Sequence, residues 1–163
     1  MSFFSLLLRA FIPYGNSFLF WFRLSQYKGW LSPFCRIMYA RQSRFHHVQI
    51  APSTKIGYGF YIGHGIDIVI NPNTIIGNNV NISNFLNIGS NKDGTAAIIG
   101  NNVYIGPQVC IVGEIRIGNN STIGAGAVIV KDVPENATVA GVPGKVLNYD
   151  SPGKYVNRRF PIE

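Results

Sequence analysis

Acidic residues are scarce in this chain, and from residue 1 to residue 48 there are none at all. Only 13% of the 163 residues are charged while 47% are hydrophobic, which is unusual for a freely soluble monomer and suggests faces covered by partner subunits or by lipid. The only two cysteines, Cys35 and Cys110, form no metal or redox spacing and read as reduced, partly buried thiols of a cytosolic protein. Long apolar runs are missing too. Phe18 to Phe22 is the longest near the start, far short of the roughly 20 residues that cross a bilayer. Arg9 interrupts the first apolar stretch and no small-residue cleavage site follows, so no secretory leader is expected and the location expected is the cytoplasm. The length suits one modest domain with a short extension.

Isoleucine, by contrast, is abundant and falls on a schedule. It stands at 50, 56 and 62, then at 70, 76, 82 and 88, then at 99, 105, 111, 117, 123 and 129. Glycine usually follows it, as at Gly57, Gly63, Gly77, Gly89, Gly100, Gly106, Gly118 and Gly124. A period of six fits neither the helix repeat nor strand alternation. It fits a triangular coil, in which each block of six makes one short strand and a corner and three blocks make a turn. The isoleucines then stack inside the prism, and each turn bonds to the next at strand spacing. Pro134 is read as the end of the repeat, with residues 139–145 as an irregular closing strand.

The division expected is a cap at 1–48, the repeat domain at 49–147 and a polar, extended or partly disordered tail at 148–163. Within the first segment, helices are expected at 2–11, 16–27 and 31–43. That segment carries Arg9, Arg23, Lys28, Arg36, Arg41 and Arg44, six of the net seven positive charges, and 13 of the 21 aromatics. It has two readings: a helical cap over the open first coil, or an anchor on the anionic inner face of a membrane. Nucleic acid is not expected, because the rest of the chain has no basic stripe.

Two irregularities break the repeat, and rigid scaffolds carry their chemistry on such loops. One is a two-residue bulge between Ile62 and Ile70 containing His64, Gly65, Ile66 and Asp67; the other is a five-residue excess between Ile88 and Ile99 that projects as a loop. Allowing for the bulge, His64 lies below Asn84, and the loop is expected on the same prism edge. A histidine can take a hydroxyl proton near neutral pH, and an amide can donate to a developing oxyanion. Asp67 could pair with His64 across the bulge. A zinc site built from His46, His47 and His64 is a weaker reading, since adjacent histidines on extended chain point apart, and no metal is expected.

The repeat resembles the hexapeptide-repeat acyltransferases, whose fold is a left-handed parallel β-helix, here of about four to five coils with a helical N-terminal segment. The run from Ile56 to His64 and on to Pro72 is similar to the serine acetyltransferase branch and its relatives in capsule and exopolysaccharide biosynthesis. That resemblance implies that His64 is the catalytic base, that Asn84 assists, and that the protein is a homotrimer with its site between two prisms. It further implies that acetyl-CoA is a co-substrate with no bound cofactor, its pantetheine lying along Gly106, Pro107, Ala125 and Gly126 with Lys145 near the end of the channel. This chain departs from the branch in having Gln49 where an aspartate orients the histidine, Gly63 where another aspartate precedes it, and no histidine or arginine in the loop. These departures favour a sugar or oligosaccharide acceptor in surface-polysaccharide assembly. Serine O-acetylation is the alternative within enzymes, and a non-catalytic repeat scaffold is the alternative outside them.

Overall fold

The computed structural model describes residues 17–157 and 159–161, so the helix expected at 2–11 lies outside the described residues. Two helices come first, α1 (Ser17–Ser25) and α2 (Ser32–His46). The repeat follows as short strands in threes. Coil one holds β1 (Val48–Ile50), β2 (Lys55–Ile56) and β3 (Tyr61–Ile62), and coil two β4 (Ile68–Ile70), β5 (Ile75–Ile76) and β6 (Asn81–Ile82). Coil three holds β7 (Asn87–Gly89), β8 (Ile98–Ile99) and β9 (Tyr104–Ile105), and coil four β10 (Cys110–Val112), β11 (Arg116–Ile117) and β12 (Thr122–Ile123). Coil five has β13 (Val128–Ile129) and β14 (Thr138–Ala140), after which β15 (Lys145–Asn148) folds back antiparallel on β14.

All strand pairs but that last one are parallel, and they form three faces: β1-β4-β7-β10-β13, β2-β5-β8-β11, and β3-β6-β9-β12-β14-β15. We call these faces A, B and C. Along face C, Ile62, Ile82, Ile105, Ile123 and Val139 stand in register, and along face B Ile56, Ile76, Ile99, Ile117 and Val133 do so. The repeat therefore outlasts Pro134, correcting the sequence reading. Val133 and Val139 stack where isoleucine stood before, because any β-branched side chain fits the same column.

The glycine after each face B isoleucine has a specific cause. A Cβ on Gly77 would lie 2.6 Å from Oδ1 of Asn101 in the coil above, and one on Gly57 would lie 2.4 Å from that of Asn78. Those oxygens are engaged: Tyr58 N–H donates to Asn78, Asn78 N–H to Asn101, and Asn101 N–H to Asn119, each at 2.7 Å. The next residue at this corner is left-handed, and it is asparagine at 79, 102, 120 and 136 (φ 55–62°), the residue that tolerates this conformation best after glycine.

The tail is pinned rather than disordered over its described residues. Its backbone bonds to coil four, Gly153 N–H to the Asn120 carbonyl at 2.7 Å, and reaches coil two, where Asn79 both accepts from and donates to the backbone of Phe160. Tyr155 packs on Tyr104 and Phe160 stacks on Tyr58, so the tail runs down the prism beside face C.

At the other end the helices close the core. Phe18, Trp21, Phe22, Met38 and Tyr39 share one buried cluster with Val48 and Ile50. Arg23 donates to the carbonyls of Ile56 and Gly57, Gln26 to Pro52, Tyr39 to Ile50 and Ser43 to Val48.

Ile117 is 2% exposed between Ile99 and Val133. Ile117→Asp should cost several kcal/mol through an unpaired buried carboxylate. Thermal unfolding and gel filtration would check this; a stable, fully soluble variant would show the column to be wrongly assigned.

Candidate functional site

The corner between faces C and A carries every predicted site residue except Lys145. Its hydrogen bonds climb coil by coil: Gly63 N–H to the Ile82 carbonyl, Ser83 to Ile105, Gly106 to Ile123 and Gly124 to Val139, at 2.8–3.0 Å. This register places His64, Asn84, Pro107 and Ala125 at equivalent positions of successive coils, about 5 Å apart per coil. A second ladder, Phe85 N–H to Ile66, Gln108 to Asn84 and Gly126 to Pro107, locks the outer half of the corner. Lys145 opens β15 opposite Ala140, at the far end of face C.

In coils two to four the corner turns through one left-handed residue, Phe85, Gln108 or Gly126. In coil one, two residues do this, His64 (φ 51°) and Asp67 (φ 52°), and they bracket the insertion. The bulge thus sets His64 apart from the repeat, exposed on the outside of the prism. Asn84 above it is half-buried, and its side-chain amide takes no hydrogen-bond partner among the described residues.

Glycine at 106 and 126 serves two purposes. A Cβ on Gly106 would lie 2.9 Å from Ala125 N, so the coils could not close there. Gly126, at φ 68°, has nothing within 4 Å of such a Cβ, so the surface beside it is open.

What holds the bulge is the end of α2, which spacing alone did not reveal. Asp67 N–H donates to the His46 carbonyl and Ile68 N–H to that of His47, both at 3.2 Å. The Asp67 carboxylate meets His47 Nδ1 at 3.0 Å and so is not the partner of His64 that the sequence suggested. The pairing was hidden because the α2 C-terminus, and not the bulge itself, brings His47 round. Nε2 of His46 is buried with no partner, and burial pushes its imidazole below the usual histidine range, with the Gly65 backbone partly offsetting the shift. Among the described residues no group of three or more histidine, cysteine or acidic side chains could hold a metal, so the three histidines do not converge.

The projecting loop is the second correction. Residues 90–97 connect β7 on face A to β8 on face B, so the loop leaves the A–B edge, not the edge of His64 and Asn84. It closes on itself through Asn91 and Thr95 and rests on Asn73, which donates to the Gly94 carbonyl at 2.9 Å. Gln49 faces outward from β1, exposed and level with Val69. Two concavities lie elsewhere, one of about 530 Å³ between α1 and coil one and one of about 390 Å³ at the top of face B. His64 itself stands on an open ridge of the single chain.

Residues 96–131 match the family described as bacterial transferase hexapeptide (six repeats). A serine acetyltransferase of Bacillus pumilus is 35% identical over 135 residues, covering 81% of this chain and 61% of that one. The structure of Neisseria gonorrhoeae serine acetyltransferase in complex with serine is 32% identical, with a TM-score of 0.73 over 85% of this chain and 58% of that one. Serine acetyltransferase of Brucella abortus strain S19 in complex with coenzyme A is 28% identical, with the same TM-score of 0.73 over 84% and 56%. The repeat of this chain is that of the hexapeptide-repeat acyltransferase family. Its prism is accordingly a left-handed parallel β-helix. The chain spans about half the length of the curated relatives it matches. These relatives are named serine acetyltransferases, which corrects both the expected kinship with capsule enzymes and the sugar acceptor built on it. The sugar reading leaned on single missing groups, whereas the similarity to these relatives runs through most of the chain.

For His46 the sign of the pH dependence is fixed by its lowered pKa. The unfolded chain binds this proton more tightly, so stability falls as pH drops through the ordinary histidine value near 6.5 toward the lower folded value. Melting curves between neutral and mildly acidic pH should show a steeper loss for wild type than for His46→Gln; equal slopes would show that the imidazole of His46 is not held buried.

Proposed function

We propose that this chain is an acetyl-CoA-dependent O-acetyltransferase whose acceptor is the hydroxyl of serine. The observation that carries the reading is the single corner column of His64, Asn84, Pro107 and Ala125, read together with relatives named serine acetyltransferase. His64 removes the proton from the serine hydroxyl, and the oxygen attacks the thioester carbonyl. The oxyanion of the tetrahedral intermediate accepts from Asn84 or a nearby backbone N–H. Collapse breaks the carbon–sulfur bond, and the imidazolium returns its proton to the departing thiolate. Coenzyme A lies along Gly106, Pro107, Ala125 and Gly126 with a phosphate toward Lys145, in the space left open beside Gly126.

An open ridge excludes little water, so a second wall is needed. The tail covers part of face C, while face A presents Val69, Val112 and Val130, with Ile66 and Phe85 at its edge, all exposed. Burial of face A against a neighbouring prism in a homotrimer supplies that wall. This trimer belongs to the proposal, as does a cytoplasmic location.

Thiol release from acetyl-CoA should depend on L-serine and should not occur with oligosaccharides. His64→Ala should lower the rate by roughly a hundredfold or more with the assembly unchanged. Near-normal turnover in that variant, or turnover with sugars only, would sink the proposal. Gln49→Asp should hold or raise the rate, because a carboxylate would support an imidazolium that an amide cannot. A steep loss in kcat/KM for serine would instead give Gln49 a place in acceptor binding.

A further inference from the structure

The cap has an inner and an outer side, and among the described residues only the inner one is packed against the prism. On α2, Cys35, Met38, Tyr39 and Gln42 are buried against α1 and coil one. Helical spacing sets Ile37, Arg41 and Arg44 on the opposite side, with Phe45 and the half-exposed Phe34, whose ring packs edge-on against Trp21, at its margin. There Ile37 is 67% exposed and Phe45 62%, and Trp30, in the turn before α2, is 84% exposed. The end of a solenoid in water needs a polar outer surface, and this one is aromatic and aliphatic.

Its charge has one sign. Lys28, Arg36, Arg41 and Arg44 are exposed, and no Asp or Glu occurs between residue 17 and residue 66. Arg23 does not belong with them, since it is committed to the carbonyls of Ile56 and Gly57. An apolar stripe ringed by free cations fits a surface that is anionic outside and apolar just below. We propose that the outer face of the cap, Trp30, Phe34, Ile37 and Phe45 with Arg36, Arg41 and Arg44, docks on an anionic lipid bilayer. The rings enter to headgroup depth and the guanidinium groups meet lipid phosphates. Nucleic acid would use the cations but would leave Ile37 and Phe45 in water. The proposal is independent of the acyl-transfer reading.

The test uses the full chain with vesicles of phosphatidylcholine, alone or mixed with phosphatidylglycerol. Trp21 is 3% exposed, so Trp30 reports insertion. The protein should sediment only with the anionic vesicles, its tryptophan emission should shift to the blue, and raised salt should release it. Trp30→Phe should abolish the shift and keep the sedimentation. Arg41→Gln and Arg44→Gln should each weaken partitioning about fivefold. Ile37→Ser with Phe45→Ser should weaken it at least tenfold, with melting unchanged because both side chains are already largely exposed. The proposal is overturned if the wild type ignores anionic vesicles at low salt, or if these variants sediment as it does. It is equally overturned if Trp30 already emits in the blue without lipid, the sign of a face covered by protein, or if duplex RNA binds more tightly than the vesicles.

Discussion

Backbone hydrogen bonds join each coil of this prism to its neighbours in both directions. They run downward at the corners, as from Gln108 to Asn84 and Gly126 to Pro107, and upward along the faces. On each strand the amide after the core residue donates to the coil above, as Gly57 does to Ile76, Gly77 to Ile99, Gly100 to Ile117 and Gly118 to Val133. At the first coil no coil lies below to donate to the carbonyls of its lower edge, and buried acceptors without donors are costly. The cap meets this demand with a guanidinium, an amide and two hydroxyls, from Arg23, Gln26, Tyr39 and Ser43. Carboxylates could not serve, having only acceptors to offer. The acid-free composition of the first segment suits the carbonyls it has to meet. The cations left over from that task, at 28, 36, 41 and 44, are the ones that give the outer face its character.

The isoleucine column was legible because each strand contributes one core residue and the period allows no drift. What happens at the corners was less so. The glycine after isoleucine looks like a turn residue in sequence, yet on face B its cause is an asparagine one coil away. Pro134 looked like an end because the search was for isoleucine, whereas the stacking asks only for a branched side chain at 133 and 139. The loop was assigned to the wrong edge because its distance from Asn84 was counted in residues, and a triangular coil turns a corner within that count. The tail was read as loose because its partners, Asn79 for Phe160 and Tyr104 for Tyr155, are too distant in sequence for any local pattern to show.

The site divides in the same way. His64 stands out in the sequence because an insertion in a strict repeat needs a reason, and the left-handed residues bracketing that insertion are its local form. The clamp on the bulge could not be found, since it depends on where α2 ends. Acceptor choice was misjudged for a further physical cause. Spacing within one chain describes one wall of the site, and in the proposed trimer the residues facing it would carry no signature in that spacing.

The three edges of the prism can be compared directly. The B–C edge is filled by the asparagine ladder and crossed by the tail, whose Val156 is 4% exposed. The A–B edge is built up by residues 90–97 folded onto Asn73. Along the C–A edge the side chains are small or turn outward, and at Gly126 the surface is open. A long, thin co-substrate that must lie along several coils finds room on this edge, and the edge begins at His64. On the function proposed above, the chemistry sits where the repeat left space rather than where it added a loop. The same bulge that interrupts the isoleucine period at the bottom of this edge holds His64 exposed on the outside of the prism.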